Sequence, residues 1–307
     1  MATRKAPKHA AGIVELAVGK PDAKVLQDFL AARFGLSRRT AKAMVDGRNV
    51  WVNRKCVWMA RYALNTGDLV AIPSQTVAGA KAQSARTGKS GEPAPAPQKR
   101  HVRVLWQDEA YLVCDKPAGL VSCDDVKSVE TILREQENLP NLEAVHRLDR
   151  DTTGCLMFAK NHAALQAAIE LFKTHKVQKT YHAIVAGEFR FAHLKIDTPL
   201  DNQPATSHVS RESAGRDASF LRIRIDTGRT NQIRRHLASV RFPIVGDRVF
   251  GLKNARDLRL MEVPRQMLHA STLQLPNPLD AKNPVKVHSP LPSDFRQTLK
   301  LFGMGKK

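Results

Sequence analysis

Apolar positions recur at helical spacing in "DAKVLQDFLAARFG", where Val25, Leu26, Phe29 and Leu30 share one face and Gly35 is placed to end the helix. "LSRRTAKAMVDG" repeats the plan, with Ser37 as N-cap, Ala41, Met44 and Val45 on one arc and Gly47 as terminator. "NVWVNRKCVW" then alternates like a strand, and "LNTGDLVAIP" reads as a turn and a strand. From residue 74 to 100 the pattern lapses. "SQTVAGAKAQSARTGKSGEPAPAPQKR" is rich in Ala, Ser, Gly, Pro and Lys, and its one large aliphatic residue is Val77. Such a stretch buries too little to offset its ordering entropy and reads as a flexible linker with a stiffer, extended "PAPAP" end.

Beyond the linker, strand and helix patterns mix. "VRVLWQDEAYLVCDKPAGLVS" predicts two strands and a Pro-Gly loop, and "SVETILREQENL" a helix. "GCLMFAK" is strand-like, "HAALQAAIELFKTH" helical, "KTYHAIVAG" and "FLRIRIDTG" strand-like, and "RTNQIRRHLASV" helical after a glycine turn. There is no regular βαβ repeat and no internal repeat, so the class is α+β. The domain plan is a basic arm over 1–22, a small α/β domain over 23–73, the linker over 74–100 and a large domain over 101–307.

Charge sharpens this plan. The 307 residues hold 49 Lys+Arg against 29 Asp+Glu, a net charge of +20. Residues 1–73 hold 13 of the basic and 5 of the acidic side chains, so basic density is highest at the N-terminal end. Such a field attracts polyanions. Nucleic acid is the expected partner. An anionic membrane surface is the alternative, and no amphipathic helix with exposed aromatics supports it. No stretch has the ~20 apolar residues of a membrane helix. The opening "MATRKAPKHAAG" lacks the apolar core of a secretory signal. Cys56, Cys114, Cys123 and Cys155 form no C-x-x-C pair, and they read as reduced thiols of a cytoplasmic protein. Arg38, Arg39 and Lys42 gather beside the apolar arc of the second helix, a compact arrangement for RNA. The stretch from Val25 to Ile72, notably "SRRTAKAMVDGRNVWVN" and "GDLVAI", resembles the small RNA-binding domain named after the fourth protein of the small ribosomal subunit.

The chemistry concentrates in "HRLDRDTTG", residues 146–154. It is not a kinase catalytic loop, for no Gly-rich loop or D-F-G accompanies it. "GKS" at 88–90 lacks the earlier glycine and the strand of a phosphate loop. His146, Asp149 and Asp151 in one short stretch do not make a metal site. The stretch does resemble the hallmark of the large-subunit ribosomal RNA pseudouridine synthases with an H-R-L-D motif. The resemblance continues through "DKPAGL", "KTYHAIVAG", "TGRTNQIRRHL", "PIVGDRVFG" and "LHASTLQLPNP", covering most of 103–296. Thr153 stands where serine is commoner, and Asn231 where histidine is commoner, which puts one hydrogen bond in question.

The resemblance implies a catalytic domain on a mixed, mainly antiparallel sheet, and isomerisation of selected uridines to pseudouridine without cofactor or metal. It implies Asp149 as the carboxylate facing the ribose, Tyr181 as the ring stacked on the extracted uracil, and Arg234 as the guanidinium that holds Asp149, with bidentate geometry within its reach. Arg147, Arg150, Lys179 and Arg229 become phosphate contacts, and Arg38, Arg39 and Lys42 those of the small domain. The expected substrate is structured RNA, large-subunit ribosomal RNA first, and the expected state a monomer. Transfer RNA with the same chemistry, or a non-catalytic RNA-binding or ribosome-assembly factor, are the competing readings.

Overall fold

The computed structural model describes residues 12–87, 101–251, 260, 263–276 and 284–304, apart from 21, 23, 24, 48, 58 and 216. It divides into two compact units, one within Met1–Pro97 and Leu252–Pro264 and the other within Gln98–Gly251 and Arg265–Lys307. The larger unit is therefore discontinuous, where the sequence predicted a single run from 101 to 307.

In the smaller unit, helices α1 (Leu26–Phe34) and α2 (Arg38–Asp46) pack on a sheet of β1 (Ile13–Ala17), β2 (Trp51–Val52), β3 (Lys55–Cys56) and β4 (Leu69–Pro73). The strand order is β1-β4-β2-β3. Gly35 ends α1 with φ +64, a left-handed conformation that only glycine adopts without strain. Ser37 Oγ caps α2 by accepting the Thr40 N–H at 3.1 Å. Leu26, Phe29, Leu30, Ala41, Met44, Val45, Val70 and Ile72 form the core.

Two expectations are corrected here. The basic arm over 1–22 is not all arm: its first eleven residues lie outside the described ones, but Ile13–Ala17 pairs antiparallel with Leu69–Pro73. "IVELA" is five residues long and isolated, and it becomes a strand only through its partner far along the chain. The linker over 74–100 begins too early. Ser74–Thr87 folds as helix α3, with Val77 and Ala80 buried in the small unit's core. The i, i+3 spacing puts both on one face, and the Ala, Gln, Lys and Arg around them are strong helix formers. The "PAPAP" end falls outside the described residues.

The larger unit is built on one sheet. Its strands are β5 (Arg103–Gln107), β6 (Tyr111–Lys116), β7 (Glu143–Ala144), β8 (Thr153–Ala159), β9 (Gln178–Ala186), β10 (His193–Ile196), β11 (Ser207–Gly215), β12 (Ala218–Ile225), β13 (Leu268–Leu275) and β14 (Val285–His288). The helices are α4 (Val129–Gln136), α5 (His162–Lys173), α6 (Gln232–Ser239) and α7 (Ser293–Leu301). The order is β10-β11-β12-β9-β13-β8-β6-β5, with β14 on β13 and β7 on β8. Every neighbouring pair is antiparallel except β13 and β8, so the sheet is mixed and mainly antiparallel as expected.

That parallel junction sets the centre of the unit. Gly154 pairs with Ala270, and Ala270 pairs on its other side with Tyr181. Gly154 has φ +114, and a Cβ there would lie 2.1 Å from the Ala270 carbonyl oxygen, so no other residue fits. The pairing brings the loop that precedes β8 and the middle of β9 within two strand spacings, about 10 Å.

The place of α3 in the core is testable. Val77→Asp should destabilise the small unit by about 2 kcal/mol. Amide exchange in α1 and β4 of the full chain should then quicken by tenfold or more, with β6 and β8 unchanged. Unaltered exchange in α1 would exclude α3 from the core.

Candidate active site

The loop from His146 to Thr152 is fastened through its backbone. Lys116, fully buried at the end of β6, donates to the carbonyl oxygens of Pro117, Arg150 and Thr152 at 2.9, 2.8 and 2.9 Å. Its three N–H bonds thus meet three acceptors. Burial pushes its pKa down to about 8, opposed by the Asp151 carboxylate. Ser122 Oγ accepts the Leu148 N–H at 3.0 Å and donates to the Leu148 carbonyl at 3.1 Å. Arg265 donates to the Asp151 carbonyl at 3.0 Å, and Gln266 to Thr152 Oγ1 at 2.8 Å. With the backbone so held, the Asp149 side chain lines a cleft of about 860 Å³ and keeps 28% of its surface exposed.

Arg234, in the first turn of α6, meets it there. Nη1 donates to Asp149 Oδ2 at 3.0 Å. The expected bidentate grip on Asp149 is not what forms. Nε and Nη2 instead clamp Asp247, at 2.7 and 2.9 Å, and Asp247 is wholly buried. The physical reason is the turn at 247–251. Asp247 Oδ1 also accepts the Val249 and Phe250 N–H groups at 2.8 and 3.0 Å, so this carboxylate is held by its own turn as well as by the arginine. Gly251 closes the turn, since a Cβ there would lie 2.0 Å from the Asp247 carbonyl. The guanidinium carbon sits 5.0 Å from the centre of the Phe250 ring. Burial works to lower the Arg234 pKa, but the Asp247 and Asp149 carboxylates overcome it and hold it above its ordinary value.

Asn231 supplies the contact the sequence put in question. It stands before α6 with φ +54, a left-handed conformation asparagine tolerates, and its Oδ1 accepts from Arg234 Nη1 at 2.6 Å. Both Nη1 hydrogens are therefore engaged, one by Asn231 and one by Asp149. The sequence assigns Asp247 no role; its one signal is a carboxylate inside the "PIVGDRVFG" segment, in a chain poor in carboxylates.

Tyr181, buried on β9, lines the same cleft with Leu148, Ile225, Ile169 and Phe172. Burial, and then the Asp149 carboxylate, push its hydroxyl pKa up, so the phenol stays neutral. Arg147, Arg150, Lys179 and Arg229 surround the opening. Arg147 is exposed, Arg150 pairs with Asp151 at 3.4 Å and Arg229 donates to the Pro204 carbonyl at 3.2 Å. Lys179 is nearly buried, with Nζ 5.5 Å from the Phe172 ring; burial lowers its pKa and Asp226 opposes this. Arg38, Arg39 and Lys42 are on α2 of the small unit, where Arg38 pairs with Asp28 and Lys42 with Asp46. His146 accepts the Met157 N–H on Nε2 at 3.2 Å and stacks on Phe172, which makes it part of the wall. Among the described residues no group of three or more His, Cys, Asp or Glu is placed to hold a metal. The cleft thus offers an anionic carboxylate, a planar ring and apolar walls inside a basic rim, a fit for a flat heterocycle on a polyanionic strand.

Two measurements check this geometry. Asp247→Ala should cost about 3–5 kcal/mol, because it strands a buried guanidinium, and Asp149→Ala clearly less. Equal losses in chemical denaturation would contradict the division of roles. Burial, helped by the Lys179 cation, pushes His146 down to about 3. A depressed histidine contributes stability above its unfolded pKa, near 6.5, that is lost as pH falls. Wild type should therefore lose stability between pH 6.5 and 5 more steeply than His146→Gln, by up to about 1.4 kcal/mol per pH unit. Parallel stability curves would place His146 in water.

The model of the RNA pseudouridylate synthase family matches residues 110–239, and that of the S4 domain residues 26–70. The ribosomal large subunit pseudouridine synthase D of Xanthomonas campestris pv. campestris is 32% identical over 257 residues, 74% of this chain and 77% of that protein. The synthase D of Yersinia pestis is 30% identical over 289 residues, 84% of each. The synthase C of Vibrio cholerae is 30% identical over 279 residues, 81% of this chain and 84% of that one. The fold is shared with human RNA pseudouridylate synthase domain containing 4, at a TM-score of 0.56 and 22% identity, covering 64% of this chain and 92% of that one. A carboxylate, a tyrosine and an arginine meeting in one cleft, in a chain that also carries an S4 domain, thus go with sequence kinship over most of the chain, and the chain belongs to the RNA pseudouridylate synthase family of isomerases.

Proposed function

We propose that this protein isomerises specific uridines of large-subunit ribosomal RNA, with Asp149 as the reacting carboxylate. The observation that carries the reading is the meeting of Asp149 with Arg234 at 3.0 Å in a cleft that Tyr181 also lines. The ribosomal substrate is supported by the relatives of Xanthomonas and Yersinia, which are named for that subunit. The same names favour a cytoplasmic site of action, and no helix among the described residues is long and apolar enough to cross a membrane. One chain supplies the whole cleft set, which supports action as a monomer.

In the reaction the N1–C1′ bond of the uridine breaks, the uracil turns, and C5 joins C1′; C5 gives up its proton and N1 gains one. The atoms are only rearranged, so no cofactor or energy source is consumed. Cleavage asks for a carboxylate at the sugar, whether to add at C1′ or to take the 2′ proton. Asp149 supplies it, and Arg234 keeps it oriented. Tyr181 stacks on the base once it leaves the RNA stack, an extraction that costs a few kcal/mol. Arg147, Arg150, Lys179 and Arg229 offset part of this by meeting flanking phosphates. Arg38, Arg39 and Lys42 do the same for RNA on the S4 domain.

Asp149→Asn should bring pseudouridine formation below detection, at least about a thousandfold loss, with RNA affinity within a few-fold and thermal stability kept. Arg234→Lys should give an intermediate single-turnover rate, since it keeps charge without the fork. Pseudouridine mapping in cells lacking the gene, complemented by wild type or Asp149→Asn, reads both chemistry and substrate. Loss of sites in large-subunit ribosomal RNA is expected. Sites lost from transfer RNA alone would overturn the substrate, and sites restored by Asp149→Asn the chemistry.

A further inference from the structure

The sheet of the larger unit has two faces, and the cleft uses one. On β9, Lys179 and Tyr181 point into the cleft, while Gln178 and Thr180 line a second cavity of about 550 Å³. The same alternation holds on β12, where Ile225 faces the cleft and Arg222 and Arg224 the second cavity. Strand register arranges the second set in rows. Thr180 pairs with Arg224, Arg224 with His208 and His208 with Lys195. On the other side Thr180 pairs with Thr272 and Thr272 with His288. A parallel row runs from Arg222 through Ser210 to His193. The first row crosses six strands, about 24 Å at the usual strand spacing.

Helix α7 covers only one end of this face, where Phe295 meets Phe220 and His269. The rest stays open: Arg222, Arg224, His193 and Lys195 are exposed. No carboxylate lines the cavity. Glu212 holds Arg222 at 2.8 Å, Asp197 holds Lys195 at 3.2 Å and Asp226 meets His208 at 2.7 Å from outside it, in surface pairs that cost little to exchange. Arg224 has no acidic partner among the described residues. Among the described residues, no Phe, Tyr or Trp ring lines the cavity.

We propose that this open face binds the phosphate backbone of a second segment of the structured RNA, one that does not enter the cleft. Charge selects a polyanion, and the row is long enough to follow several phosphates of one strand. Since the two faces are opposite sides of the same strands, the RNA must pass an edge to reach both, and β10 is the edge strand beside Lys195 and His193. The inference goes beyond the reading above and requires only that RNA enters the cleft.

The test compares wild type with Lys195→Glu/Arg224→Glu, by binding to a folded domain of large-subunit ribosomal RNA over a range of salt. A short hairpin excised around the target uridine serves as a probe that fills the cleft alone. Arg103→Glu/Lys300→Glu, at exposed positions elsewhere, matches the change in net charge. On the folded domain the first variant should lose about 10–100-fold in affinity, and its salt slope should fall by about 2, while the hairpin binds as before. Melting curves and the neutral Lys195→Gln/Arg224→Gln pair, expected to show a smaller loss of the same kind, guard against misfolding. Unchanged affinity and slope on the folded domain overturn the proposal. So does an equal loss on both RNAs, or a loss matched by the control variant, since either reports net charge rather than a contact. Conversion of the folded domain by wild type is scored separately, so failure of the catalytic reading is distinguishable from failure of this one.

Discussion

The site depends on how one guanidinium is shared. Arg234 gives two donors to buried Asp247, and one nitrogen to both Asp149 and Asn231. Asp247 is the anchor, since its own turn and two backbone N–H groups hold it. Asp149 receives what remains, a single charge-assisted hydrogen bond at the edge of the cleft. A group clamped on both sides would be well ordered and poorly available. This division gives rigidity to the arginine and leaves one carboxylate oxygen of Asp149 for chemistry.

Backbone geometry brings the partners together. Asp149 precedes β8, Tyr181 is on β9, and β13 lies between them, entering from far along the chain. The parallel pairing of β8 with β13 exists because Gly154 lets the backbones approach. The sheet is thus joined at its centre by the strands that carry the cleft.

Much of this was legible in the sequence because its signals are local. Helical spacing in "VLQDFL", the Ser37 cap and the "HRLDRD" cluster can be read without knowing the fold. Asp149, Tyr181 and Arg234 came from motif resemblance, and the structure places them together. What escaped was set by long-range contact. The β1 strand needs Leu69–Pro73 to be a strand at all. Helix α3 needs a core already present for Val77 to enter. Asp247 shows its part only when the helix carrying Arg234 is packed against its turn. The expectation of a bidentate Asp149 failed for the same reason, because a competing carboxylate elsewhere in the chain was better prepared.

Lys116 has a different kind of consequence. All three of its hydrogen bonds go to main-chain carbonyls, of Pro117, Arg150 and Thr152. It is therefore indifferent to which side chains those positions carry. Residues around Asp149 can drift, altering charge along the cleft, while the loop keeps its path. Anchoring by carbonyls separates the shape of the loop from its spelling, so one scaffold can be retuned to new targets without being rebuilt.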